Sequence, residues 1–173
     1  MAVVIVVEDG SQIENANSYV TLDEANEYVA NIGGDSSWDS LTDDNKNIRI
    51  YQAQRYLHQK YASKFVGSVS STTQPLDWPR GNGYTRNGVE LDDSSIPIEV
   101  KDSQIELALL WSRGSNVLYP SGSNNVKKVY KKLSVMTTET EYFSPSVNGE
   151  INTTLNLSLA NVLKSNQGFV FRV

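Results

Sequence analysis

The chain holds one histidine, His58, and no cysteine in 173 residues. That narrows its chemistry at once. Without cysteine there is no thiolate zinc site, iron–sulfur cluster, disulfide staple or cysteine nucleophile. A single imidazole cannot build a multi-histidine metal site, and most histidine-dependent triads need more context than it has. His58 follows Leu57 near the end of a helical pattern, where a cation or a plain surface residue is the simpler reading. The acidic pairs Asp43-Asp44 and Asp92-Asp93 fall at a helix start and in a loop. Capping and solvation explain them better than general acid–base work. No EF-hand spacing is present. Gly81-Asn82-Gly83 has the opening of a dinucleotide fingerprint, but no strong strand precedes it and no helix opens on it. The serines lack a Gly-x-Ser-x-Gly setting. These residues predict no enzyme, no metal and no cofactor.

A nucleic-acid reading has more material. Nine tyrosines, three tryptophans and the element Trp78-Pro79-Arg80 could form a stacking platform for single strands. Lys127, Lys128, Lys131 and Lys132 make one basic cluster. The charge balance opposes this reading, with 15 Lys+Arg against 20 Asp+Glu and a net charge of −5. Residues 1–60 carry 4 basic and 10 acidic residues, 61–125 carry 5 and 7, and 126–173 carry 6 and 3. An acidic amino-terminal half is a poor phosphate surface. The lysine cluster reads as a solvated strand whose charges discourage edge-to-edge pairing. The longest apolar run, Ala2 to Val7, is far too short for a membrane span or a signal core, and no basic segment precedes it. The expectation is a chain made and kept in the reducing cytosol, away from membranes.

The elements follow from caps and periodicity. Ala2 to Val7 predicts a strand or arm, closed by Glu8-Asp9-Gly10. Thr21 predicts an N-cap with Asp23 and Glu24 in the first turn, and Gly33-Gly34 a stop. Thr42 starts a second, longer helix to about Tyr61, with Ile50, Ala53, Leu57 and Tyr61 forming one apolar stripe. Residues 62–96 read as a long irregular segment. Within it, Ser68 to Thr73 reads as a flexible loop, Pro75 to Gly81 as a stiff stretch, and Asn82-Gly83 and Asn87-Gly88 as tight turns. Pro97 opens a third helix to Arg113, ending at Gly114. That helix has two stripes: Ile98, Ile105 and Leu109, and Val100, Leu107 and Trp111. Two stripes predict either the central helix of a bundle or a helix that also meets a neighbouring subunit. Val126 to Phe143 is rich in Val, Thr and Tyr and predicts one or two extended segments. Leu155, Leu159, Val162 and Leu163 predict a short fourth helix from Thr153 or Thr154. Phe169 to Val173 is an apolar tail that must dock on something. The fold class is mainly α (α+β): a small bundle of about four helices with a β-rich extension and extended terminal arms. Residues 1–125 form the helical core with its long loop at 62–96. Residues 126–173 form the extension, short helix and tail, and the whole is one compact unit.

Several motifs, taken together, carry a resemblance. They are Ala16-Asn17-Ser18-Tyr19-Val20-Thr21, Gln52-Ala53-Gln54-Arg55-Tyr56-Leu57, Thr73-Gln74-Pro75-Leu76-Asp77-Trp78-Pro79-Arg80, Ile96-Pro97, Val100-Lys101-Asp102 and Glu106-Leu107-Ala108-Leu109. Their order and spacing over 16–113 resembles the phage family labelled DnaT-like single-stranded-DNA-binding protein. That family is similar to the head–tail connector, or head-completion adaptor, proteins of tailed phages. The resemblance implies a structural virion protein: a homo-oligomeric, dodecameric ring beneath the portal at the head–tail junction, assembled in the host cytoplasm. Its implied partners are the portal protein and the tail, tail-terminator or nozzle proteins. Genomic DNA would pass through its channel without specific binding. The tail Phe169, Val170, Phe171, Arg172 and Val173 would bind the portal or a neighbour. Trp78, Pro79 and Arg80 in the loop, and Val100, Leu107 and Trp111 on the third helix, would meet the adjacent subunit. Trp78 is equally suited to capping its own core. The competing reading is a single-stranded-DNA-binding module that relies on Trp78, Arg80 or the Lys127–Lys132 cluster.

Overall fold

The computed structural model describes residues 3–114, 127–133, 136–142 and 154–164. The architecture is mainly helical with two small antiparallel sheets. Helix α1 spans Leu22–Asn31, and its start is a full capping box. Thr21 Oγ1 accepts from the Glu24 amide at 3.0 Å, and the Glu24 carboxylate accepts from the Thr21 amide at 2.7 Å. Two orphan donors of the first turn are thereby satisfied. Gly33, with φ +102°, ends the helix as its sequence predicts.

A short helix, α2 (Ser36–Asp39), follows where the sequence reading has none. Asp35 caps it by accepting from the amides of Ser37 and Trp38 at 2.9 and 3.0 Å. Trp38 is buried, and its indole N–H donates to Asn26 Oδ1 at 2.9 Å. Helix α3 (Asp43–Tyr61) starts at Thr42 and buries the predicted stripe Ile50, Ala53, Leu57 and Tyr61.

Segment 62–96 is more ordered than its composition suggests. Strands β1 (Ser68–Val69) and β2 (Arg80–Gly81) pair antiparallel, so Ser68 and Val69 belong to a ladder rather than to a loose loop. A second turn pairs Tyr84 with Glu90 through positive-φ Gly88. Side chains bond this segment back on itself. Gln74 Nε2, for example, donates to the carbonyls of Leu76 and Pro79 at 2.8 and 3.1 Å. Such local bonds replace the periodicity that a sequence reading needs.

Helix α4 (Ile98–Ser112) is the centre of the bundle. Val100, Ser103, Gln104, Ile105, Leu107, Ala108, Leu109 and Trp111 are all buried within this chain, while Ile98 is exposed. Apart from Ile98, both predicted stripes are therefore accounted for by packing inside the chain, chiefly against α3. Gln104 fastens the centre. Its amide donates to Ser18 Oγ at 2.9 Å and to the Ile50 carbonyl at 3.0 Å, while its oxygen accepts from the Tyr19 amide at 2.9 Å. One side chain thus joins the amino-terminal segment, α3 and α4, with each of its bonds buried.

Strands β3 (Lys127–Leu133) and β4 (Met136–Tyr142) form an antiparallel hairpin, the predicted extended segments. Helix α5, at 154–158, is the predicted short fourth helix, and Leu155, Leu159 and Val162 enter the same core as α1, α3 and α4. Backbone bonds stitch its flank to the end of α3. Phe65 bridges Leu163, the Val66 amide donates to the Val162 carbonyl, and the Lys164 amide donates to that of Lys64. The amino-terminal arm is also held. Val7 bridges Ser18, and Asn17 bonds the backbone of Val4 and Val6.

Candidate functional site

The stiff element Pro75 to Gly81 crosses the end of α3, and the structure assigns each of its prominent side chains. Trp78 is fully buried, with its ring edge-on to Phe65 at 5.5 Å between centroids. The Trp78–Pro79 peptide is cis, and Pro79 is buried as well. Arg80 is buried and donates to three backbone carbonyls: Val66 at 2.7 Å, Gly67 at 3.0 Å and Asp77 at 3.2 Å. It acts as an internal clamp that closes the β1–β2 turn onto the core. Burial lowers the affinity of its guanidinium for the proton, against the pull of Asp77.

Beneath this clamp lies a polar cluster that the sequence reading did not assemble. The Asp77 amide donates to the Tyr19 hydroxyl at 3.1 Å. Both Asp77 carboxylate oxygens lie 3.1 Å from His58 Nδ1. Burial pushes the Asp77 carboxyl up from its ordinary value, while His58 and Arg80 pull it down. Burial, and then the Asp77 charge, push the Tyr19 phenol up. His58 is therefore neither a helix cap nor a plain surface residue. Its ring is 56% exposed, but one nitrogen is fixed by a buried carboxylate, so the other faces outward.

His58 forms one wall of a groove of about 280 Å³ between α3, the 74–77 stretch and the 16–17 backbone. Tyr51, Arg55 and Gln59 line it at i, i+4 and i+8, joined by Gln54 and Asn17. Its walls carry the Arg55 guanidinium and the His58 imidazole, and no carboxylate. This is a local exception in a body where residues 1–114 hold 9 basic and 17 acidic residues. The signal was present in the sequence as the polar face of α3, opposite the apolar stripe, and only the fold shows that Pro75 and Asn17 make it concave. A second, smaller groove of about 190 Å³ lies between α1 and α4 and is acidic. Glu24, Glu27 and Asp102 line it, and Lys101 pairs with Glu24 at 3.1 Å. Asp102 is raised by burial and by Glu106 and Glu99, and Tyr28 is pushed up to about 12 by burial and by Glu106.

The sequence-predicted interface residues do not come together as a surface. Trp78, Pro79 and Arg80 are buried in the chain's own core, as are Val100, Leu107 and Trp111. Trp111 packs edge-on to Tyr56 at 6.1 Å. Their packing is accounted for within the chain, which leaves these side chains little open surface for a neighbouring subunit. Of the two roles weighed for Trp78, capping its own core is the one observed. Phe169, Val170, Phe171, Arg172 and Val173 lie outside the described residues. Lys127, Lys128, Lys131 and Lys132 all stand on β3. Among the described residues no cluster of His, Asp and Glu could hold a metal ion, and no helix is long and apolar enough to cross a membrane.

Residues 3–173 match a family described as "Putative DnaT-like ssDNA binding protein", and the chain belongs to that family. No curated protein and no solved structure matches the chain.

Proposed function

We propose that this member of the DnaT-like family is a structural head–tail adaptor of a tailed bacteriophage. It forms a ring beneath the portal, extends the DNA channel and joins capsid to tail. The observation that carries this reading over strand binding is the burial of Trp78 and Arg80, with the other two tryptophans, which strand binding would need open. Trp38, Trp78 and Trp111 are 1%, 0% and 5% exposed, and Arg80 is spent on backbone carbonyls. Single-strand binders stack bases on open aromatic rings and track phosphates with open cations. The acidic body supports a conduit role, since a wall that repels phosphates lets DNA slide. The resemblance of the 16–113 motifs to adaptor proteins supports the same reading.

The second reading keeps the family's description literally. It is favoured by the groove in which Tyr51, Arg55 and His58 meet, where an aromatic ring and a guanidinium line one cleft. The two readings separate in one pair of measurements. The adaptor reading expects the protein to co-sediment with purified portal rings and to show little single-strand affinity at moderate salt. Steeply salt-dependent strand binding that is lost in Arg55→Ala, with no portal association, would favour the second.

A further inference from the structure

The hairpin β3–β4 sorts its charges by strand. β3 carries Lys127, Lys128, Lys131 and Lys132 and no acidic residue, while β4 carries Glu139 and Glu141 and no basic residue. The hairpin's own register uses part of this difference, directly at Glu141 and diagonally at Glu139, which stands between the positions of Lys128 and Lys132. Lys128 stands opposite Glu141, but Lys127 faces Tyr142, Lys131 faces Thr138, Lys132 faces Thr137 and Glu139 faces Tyr130. Three lysines and one glutamate thus stand across from uncharged residues. Among the described residues neither strand pairs with any strand but the other.

We propose that the outer edge of β3 in one copy of this chain pairs with the outer edge of β4 in a second copy. Lysines protect an edge against its own kind, because like-charged edges repel. Here the two edges of the hairpin differ in sign, so protection against β3–β3 pairing is at the same time attraction for β4. The strand directions agree as well. Hairpins repeated side by side in one orientation alternate direction throughout, so β3 meets the next β4 antiparallel, as it meets its own. The contact is heterologous, using different surfaces on the two copies, and such contacts build rings when the rotation closes. The self-association stands on the hairpin alone; that it closes into a ring beneath a portal rests on the function proposed above.

The test swaps charge between the strands of the full chain and reads the mass in solution by light scattering. Wild type is expected to self-associate without portal. Lys127→Glu, Lys128→Glu, Lys131→Glu and Lys132→Glu together should return it to monomer, and so should Glu139→Lys with Glu141→Lys. Combining both sets should restore association. Intrahairpin pairing alone would also explain that rescue, so the deciding arm mixes differently tagged wild type and full swap. Edge pairing between copies requires them to assemble separately, since unlike copies would bring equal charges together. Free co-assembly would overturn the proposal. So would a wild type that stays monomeric, or association that survives both single-strand sets. If monomer appears only in full-length chain and deleting 169–173 releases association, the occupant of the edge is the chain's own tail and the proposal fails. Hairpin-dependent association without portal binding would leave this inference standing and remove the adaptor reading. Portal binding with hairpin-independent rings would do the reverse.

Discussion

Arg80 shows how one residue type can mislead and instruct at once. In the sequence, Trp78-Pro79-Arg80 reads as an exposed recognition element, because an aromatic beside a cation is what phosphate and base binding use. In the fold the same pair is internal, with three guanidinium bonds to the backbone carbonyls of Val66, Gly67 and Asp77. Arg80→Met should therefore cost about 2–3 kcal/mol of stability, since bonds to a charged group are worth about that each in part and orphaned carbonyls add to the loss. Urea unfolding measures it, and no change in midpoint would contradict the clamp. Asp77 supplies a pH test. Its carboxyl is raised in the folded state, so the fold binds its proton more tightly than the unfolded chain does. Its contribution is thus fullest at acidic pH and is lost as pH rises through the folded value. Asp77→Asn should flatten that part of the pH–stability curve. The difference curve between variant and wild type isolates it from Glu24 and Asp35, whose values are lowered and whose contributions run the opposite way.

Helix starts and stripes were legible because each is written in a few adjacent residues. Thr21 and Thr42 cap, Gly33 and Gly114 stop, and Ile50, Ala53, Leu57 and Tyr61 share a face. Thr21→Ala should cost about 1 kcal/mol, the usual worth of such a cap, read as a shift in urea midpoint. What was not legible depends on distant partners. Helix α2 is only four residues long and is anchored by Trp38 on Asn26, twelve residues away. The order within 62–96 comes from side-chain bonds to local carbonyls, which leave no period in the sequence. The two stripes of α4 were read correctly as two buried sides, but a sequence cannot say whether its own chain or another covers them. The cover includes α5, which joins the core from about fifty residues downstream. Leu159→Ala should accordingly destabilise the whole bundle by about 2–5 kcal/mol, the range for a buried leucine, rather than loosen a separate module. A two-step unfolding curve for this variant would contradict a shared core. Of the groove, only the polar face of α3 was visible beforehand, since Asn17 and Pro75 reach it through folding.

For the whole molecule, the distribution of aromatic rings and charge is the governing feature. The three tryptophans lie inside, the body to residue 114 is acidic, and only residues 126–173 carry more basic than acidic residues, 6 against 3. A body built this way repels phosphates and keeps its indole rings for its own stability. Tryptophan emission should be that of buried indoles and should not change when single-stranded DNA is added, because no indole is open to stack on a base. The measurement that tests the central proposal most directly is electron cryo-microscopy of the protein mixed with purified portal rings of a tailed phage. The adaptor reading predicts a ring of this chain seated beneath the portal, with its channel in line with the portal's. Portal particles that remain bare at saturating protein, together with tight, salt-sensitive binding of single-stranded DNA, would contradict it.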